Sequence, residues 1–131
     1  MAVTGQIKGT ISLTDNLTGS TSFSKVLNAA YAGTLSEYAQ SFSVLSTGTV
    51  ISVPNGSAQL LYIKNLASTS GQNISVTWTP TGASSETVLT LSPGSIIIFS
   101  EADAVNGISN LTLTATGTTT VGTTVEFLLV G

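Results

Sequence analysis

Apolar and polar residues alternate with a period of two along most of this chain. Ile7, Gly9, Ile11 and Leu13 interleave with Lys8, Thr10, Ser12 and Thr14, which predicts a first strand with one wet face. Residues 22–27 form a weaker strand candidate. SFSVL alternates through Phe42 and Val44, and TVISV runs up to Pro54. The following PNGS is a turn signal, because proline presets φ and Asn-Gly tolerates positive φ. After it come QLLYIKNL, ISVTWT, ETVLTL, SIIIFS, LTLTA and TVEFLLV, each bounded by Gly, Pro, Asn or Ser clusters. The pattern amounts to eight or nine short strands at intervals of about 8–12 residues, which predicts an all-β fold: an antiparallel β-sandwich, with a jelly roll as the expected form. No amphipathic helix separates the strands, so a parallel α/β sheet is excluded. AAYAGTLSEYA, residues 29–39, is the one stretch where a helical turn is expected, interrupted by Gly33.

Strand parity then sorts residues by face. Ile74, Val76 and Trp78 point one way and Ser75, Thr77 and Thr79 the other, which makes Trp78 a core residue before it is a ligand platform. With Leu89, Leu91, Leu111 and Leu113, these three form the expected core. Three strands are apolar on both faces: Leu60–Ile63, Ile96–Phe99 and Phe127–Val130. A sandwich strand has one solvated face, so two-sided strands need a cover. Subunit contact is the expected cover, through Leu61, Ile63, Ile97, Phe99, Leu128 and Val130; a loop or a chain terminus is the alternative.

Composition changes this picture in two ways. The 131 residues make one domain, with residues 1–20 a candidate N-terminal arm, and hold enough chain to bury a core without disulfides or metal. Charged residues are only 7% of the chain, against about a quarter in ordinary soluble domains. Three lysines and no arginine cannot build a basic stripe, so nucleic acid is not an expected partner. With a formal charge of −3, an anionic membrane surface is not one either. About a third of the residues are Ser or Thr, and hydroxyls alternating with aliphatics describe an ordered sheet with a neutral polar skin. The first residues lack a cationic start followed by an apolar run, so cytoplasmic synthesis without a signal peptide is expected.

Candidate chemistry is sparse. No histidine exists to activate a hydroxyl, and no cysteine to supply redox chemistry or a soft metal ligand. Ser22 and Ser24 stand near Lys25, an adjacency that chance supplies in so hydroxyl-rich a chain. Glu101 and Asp103 are spaced to hold a hard cation or to attack a glycosidic bond, but loop acids more often sit in solvent or cap a turn. The expectation is no enzyme activity and no cofactor or metal. Sugar binding would use Trp78, Tyr31, Tyr38 or Tyr62, which are scattered along the chain.

The second half resembles a type of small virion protein found in tailed bacteriophages. The residues that carry the likeness are LLYIKNLAS (60–68), NISVTWTPTG (73–82), ETVLTLSPGSIIIFS (86–100) and ISNLTLTATGTTTVGTTVEFLLVG (108–131). The resemblance covers about half the chain and is one of strand-and-turn pattern. It implies a jelly-roll or immunoglobulin-like sandwich that decorates or cements a capsid, or serves in a head fibre or tail. The expected function is therefore a virion structural protein, a dimer or trimer partnered by itself and by the major capsid protein. The alternative is a carbohydrate-binding module or the receptor-binding tip of a phage fibre.

Overall fold

The computed structural model describes residues 3–14, 18–19, 21–33, 36–101, 103–117 and 122–131; in the first two strands and the start of the third it does so by backbone and register. The fold is all-β and antiparallel. Among the described residues ten strands run in order: β1 (Val3–Thr14), β2 (Thr21–Gly33), β3 (Ser36–Val44), β4 (Thr49–Ile51), β5 (Leu60–Asn65), β6 (Asn73–Pro80), β7 (Thr87–Leu91), β8 (Ile96–Ser100), β9 (Ile108–Thr116) and β10 (Thr123–Val130). Strands β3 to β10 form a sandwich of two four-stranded sheets, ordered β3-β10-β5-β8 and β4-β9-β6-β7. These are called the β5 sheet and the β6 sheet below. Strands β1 and β2 form a third, two-stranded sheet that pairs with neither.

The pairings within the sandwich are nested. β3 pairs with β10, β4 with β9, β5 with β8 and β6 with β7, as if one long antiparallel hairpin had been rolled up. The pairs β5–β10 and β6–β9 close the roll. The two sheets so formed make a β-sandwich, and the nesting is of the kind a jelly roll uses. Short turns make it possible. In the PNGS turn Asn55 has φ 55° and Gly56 φ 69°, so the Asn-Gly pair supplies the left-handed backbone that lets the chain reverse. In the SPG turn the N–H of Ser95 donates to the carbonyl of Ser92 at 3.0 Å, with Gly94 at φ 79°.

Within 29–39, the described residues 29–33 and 36–39 are extended, not helical. Residues 29–33 complete β2, and β3 begins at Ser36 and zips along β10. Alanine has the highest intrinsic helix propensity, but propensity is a small term per residue and a full ladder of interstrand bonds outweighs it. The strand count exceeds expectation because residues 22–27 belong to a 13-residue strand.

The core lies between the two sheets. Leu61, Ile63, Val125, Phe127 and Leu129 face Ile74, Val76, Trp78, Leu91, Leu111 and Leu113, all buried in one cluster. Phe127 meets Phe42 edge-on at 5.4 Å between centroids, and Trp78 lies 6.2 Å from Phe99. At 8% exposure Trp78 is a plug of the core. Leu89 departs from the expected core. It pairs with Val76 and so has inward parity, but β7 is an edge strand with no neighbour on one side, and Leu89 is 44% exposed.

Asn65 ties the two sheets together at one end. It is fully buried, and its amide nitrogen donates to the carbonyls of Gln72 (2.9 Å) and Leu91 (3.0 Å), beside β6 and at the end of β7. Its side-chain oxygen accepts from the N–H of Ala67 at 3.0 Å. Every hydrogen bond this amide can donate is thus made inside the protein.

Candidate functional site: an open apolar row on the β5 sheet

Charge parity identifies the outer face of the β5 sheet. Lys64 on β5 and Glu126 on β10 stand directly opposite each other and are half-buried, whereas Leu61, Ile63, Val125, Phe127 and Leu129 point inward. Tyr62 and Leu128 share the parity of these two charges, so both point outward.

The register then assembles a row. Tyr38 on β3 pairs with Leu128 on β10, Leu128 with Tyr62 on β5, and Tyr62 with Ile98 on β8. Four side chains therefore stand side by side across all four strands, about 4.8 Å apart. Tyr38 is 56% exposed and Ile98 52%, with Leu128 and Tyr62 half-buried between them. Ile96 extends the patch at 51% exposure, next to Lys64. On the other side of the row, Val130 and Leu60 also have outward parity, yet each is only 3% exposed and neither belongs to the core cluster. The outer face is thus closed at the Val130–Leu60 row and open from Tyr38 to Ile98.

The Tyr62 side chain stands between Leu128 and Ile98 in this row. Its pKa is raised, first by burial, then by the Glu126 carboxylate and by Tyr38. The ring therefore stays neutral across all ordinary conditions and presents an apolar body with a hydroxyl tip.

The expected interface residues are distributed differently from the sequence reading. Leu61 and Ile63 are core residues, Ile97 and Phe99 pack inward against the core, and Val130 is buried within the chain. Leu128 alone of the six lies on the open row. The correction is a shift of one position: on β5 and β8 the outward residues are Tyr62, Ile96 and Ile98. A one-residue offset moves every side chain to the other face, and an unbroken apolar run carries no mark of which parity is inward. Lys64 and Glu126 were the available mark, two residues from Tyr62 and Leu128 on the same parity.

The remaining candidates serve the fold. Glu101 accepts a hydrogen bond from the N–H of Asp103 (3.1 Å), and Asp103 accepts one from the N–H of Val105 (3.0 Å). These two carboxylates thereby shape the loop that leads into a 3-10 turn at Ala104–Asn106. Among the described residues no group of three or more His, Cys, Asp or Glu could hold a metal ion. Ser22, Ser24 and Lys25 lie on β2; Ser24 is exposed, and the side chains of Ser22 and Lys25 are outside the described set, as is that of Tyr31. No helix among the described residues is long and apolar enough to cross a membrane.

No protein-family model matches the chain, and comparisons with curated proteins and with solved structures return no match.

Proposed function

We propose that the protein is a non-enzymatic structural subunit of a virion, a capsid decoration or cement protein that binds copies of itself and the major capsid protein. The observation that carries the reading is the open row Tyr38–Leu128–Tyr62–Ile98 with Ile96 beside it. Contiguous exposed apolar surface marks interaction sites, and aromatic side chains are enriched at their centres. A disulfide-free jelly roll suits a particle surface, where the subunit must be rigid and survive without a cofactor. On a lattice each contact can be weak, since many of them act together. Closed symmetry favours a dimer or trimer.

Light scattering over a concentration series tests self-association. The expected result is a mass that is a multiple of the 13.2 kDa chain. A monomer at every concentration overturns that part of the proposal. Co-sedimentation with tailed-phage capsid shells tests the second partner, and protein left wholly in the supernatant overturns it.

A carbohydrate platform is the second reading, favoured by Tyr38 and Tyr62 standing two strands apart in one row, about 10 Å from each other. It predicts tyrosine fluorescence quenched by oligosaccharide in a protein that stays monomeric. Trp78, being core, has no part in it.

A further inference from the structure

We propose that Asn55–Gly56 is a self-modification site, at which Asn55 converts to aspartate and isoaspartate without an enzyme, while the fold shields the same dipeptide at Asn106–Gly107. The site is independent of the self-association reading. In an Asn-Gly step the glycine backbone nitrogen attacks Cγ of the asparagine amide, because no Cβ on the second residue blocks the approach. A C–N bond forms, and the side-chain nitrogen leaves as ammonia with the proton that the glycine nitrogen gives up. The product is a cyclic succinimide. Water then opens the ring at either carbonyl, giving aspartate or the isomer whose backbone runs through the side-chain carbon. The chain contains this dipeptide twice, at 55–56 and 106–107.

Both asparagines are exposed to water, but the two glycines are not alike. Gly56 is exposed, at φ 69°, and nothing lies within 4 Å of the position a Cβ would take. Its N–H donates to the Val53 carbonyl at 3.1 Å, the bond that must open before its nitrogen can turn onto Asn55. Gly107 is buried, and a Cβ there would come within 2.6 Å of both the Ala58 carbonyl oxygen and the Ser57 Oγ. Its own carbonyl accepts from the N–H of Thr81 at 2.7 Å and from the Thr81 hydroxyl at 3.1 Å. The next residue, Ile108, exchanges two backbone bonds of 2.8 Å with Ala58. Ring closure at Asn106 therefore has to dislodge a packed glycine and strain a bridge between two segments. Opening such a unit is a rarer event than opening an exposed turn.

The products differ in the same sense. At residue 55 either acid adds one negative charge to a chain of formal charge −3, and isoaspartate lengthens a turn backbone that has open space around Gly56. Asn55 stands at φ 55°, a left-handed backbone that aspartate adopts as asparagine does, so the turn still reverses the chain. At residue 106 a longer backbone would press Gly107 into Ala58, where there is no room. The fold thus confines a slow gain of charge to the PNGS turn, ahead of β5.

The test is to age the full-length protein in mildly alkaline buffer made with heavy-oxygen water, then digest it and map the peptides by mass spectrometry. The residue 55 peptide is expected to convert with uptake of heavy oxygen and to resolve into both acid isomers. Its rate should exceed that of the residue 106 peptide by at least about tenfold, a ratio set by the rarer opening at Gly107. In urea-unfolded chain the two peptides should convert at similar rates, since only the shared dipeptide then counts. Asn55→Gln, whose longer side chain disfavours the ring, should remove the acidic isoform that ion exchange separates from fresh protein. Equal rates at 55 and 106 in the folded protein, or a faster one at 106, would overturn the shielding. A gap that persists in urea would trace the difference to sequence and overturn the part given to the fold. An unchanged Asn55 in the folded protein, under conditions that convert the unfolded chain, would overturn the site itself.

Discussion

The two sheets of the sandwich share a core and differ on their outer faces. At the centre of the β6 sheet the outward row runs Val50–Thr112–Thr77–Val88, and the next runs Thr114–Ser75–Thr90. At the centre of the β5 sheet the matching positions on the inner strands hold Leu128 and Tyr62. No strand of the β6 sheet contains a charged residue, so its central strands are hydrated by hydroxyls alone. Threonine does this well, since its branched carbon fits the pleat while its hydroxyl finds water. The chain therefore hydrates the centre of one sheet face with hydroxyls and leaves the centre of the other apolar, with exposed Val50 and Val88 confined to the outer strands of the β6 sheet. The face left without this hydroxyl cover is the one on which self-association is proposed.

The comparison breaks most completely when the shared core is removed. Phe127→Ala takes away the ring beneath β10 and its edge contact with Phe42, and is expected to cost about 3–5 kcal/mol in urea unfolding. Next is the tie between the sheets. Asn65→Ala leaves the buried carbonyls of Gln72 and Leu91 without their side-chain donor, at an expected cost of about 1–3 kcal/mol in the same measurement.

A pair of exposed substitutions sharpens the contrast between the faces. Ile98→Asp should weaken self-association by roughly tenfold or more, because a charge would be desolvated in an apolar contact, with little change in melting point. Val88→Asp, equally exposed on the β6 sheet, should leave the mass by light scattering unchanged. Equal effects of the two would erase the distinction between the faces.

The smallest effect concerns Tyr62. Its folded pKa lies above the unfolded value, so the folded state holds its proton more tightly. The stability this contributes is full below the unfolded tyrosine pKa of about 10 and is lost as pH rises through the folded value. Tyr62→Phe should flatten that alkaline limb of a melting-point profile, leaving the neutral region nearly unchanged.

Much of the sandwich was legible in the sequence because its strands alternate and its turns are spelled out in Pro, Asn and Gly. ISVTWT disclosed its face at once, since every second residue is a hydroxyl. Where alternation failed, so did the assignment: IIIF offers no polar residue to fix parity, and Ile97 and Phe99 were chosen over Ile96 and Ile98. Leu89 shows a different limit. Parity says which way a side chain points, whereas burial also depends on whether the strand has neighbours on both sides, and strand order is not written locally. The role of Asn65 was hidden for the same reason, because its partners come from residues 72 and 91. The helical expectation within 29–39 fails because local propensity carries no information on pairing partners: residues 29–33 pair with β1 and residues 36–39 with β10.

The nested wrapping has a consequence for biosynthesis. β10, drawn from the last residues of the sequence, sits between β3 and β5, so the β5 sheet has no middle until the ribosome has delivered residues 123–130. Leu128, the second member of the open row, arrives with it. A nascent or prematurely ended chain can build parts of the β6 sheet but cannot display the row at all. Slow, long-range strand closure is usually a hazard of β proteins. Here closure of the β5 sheet and assembly of the open row are one event, the pairing of β10 with both β3 and β5.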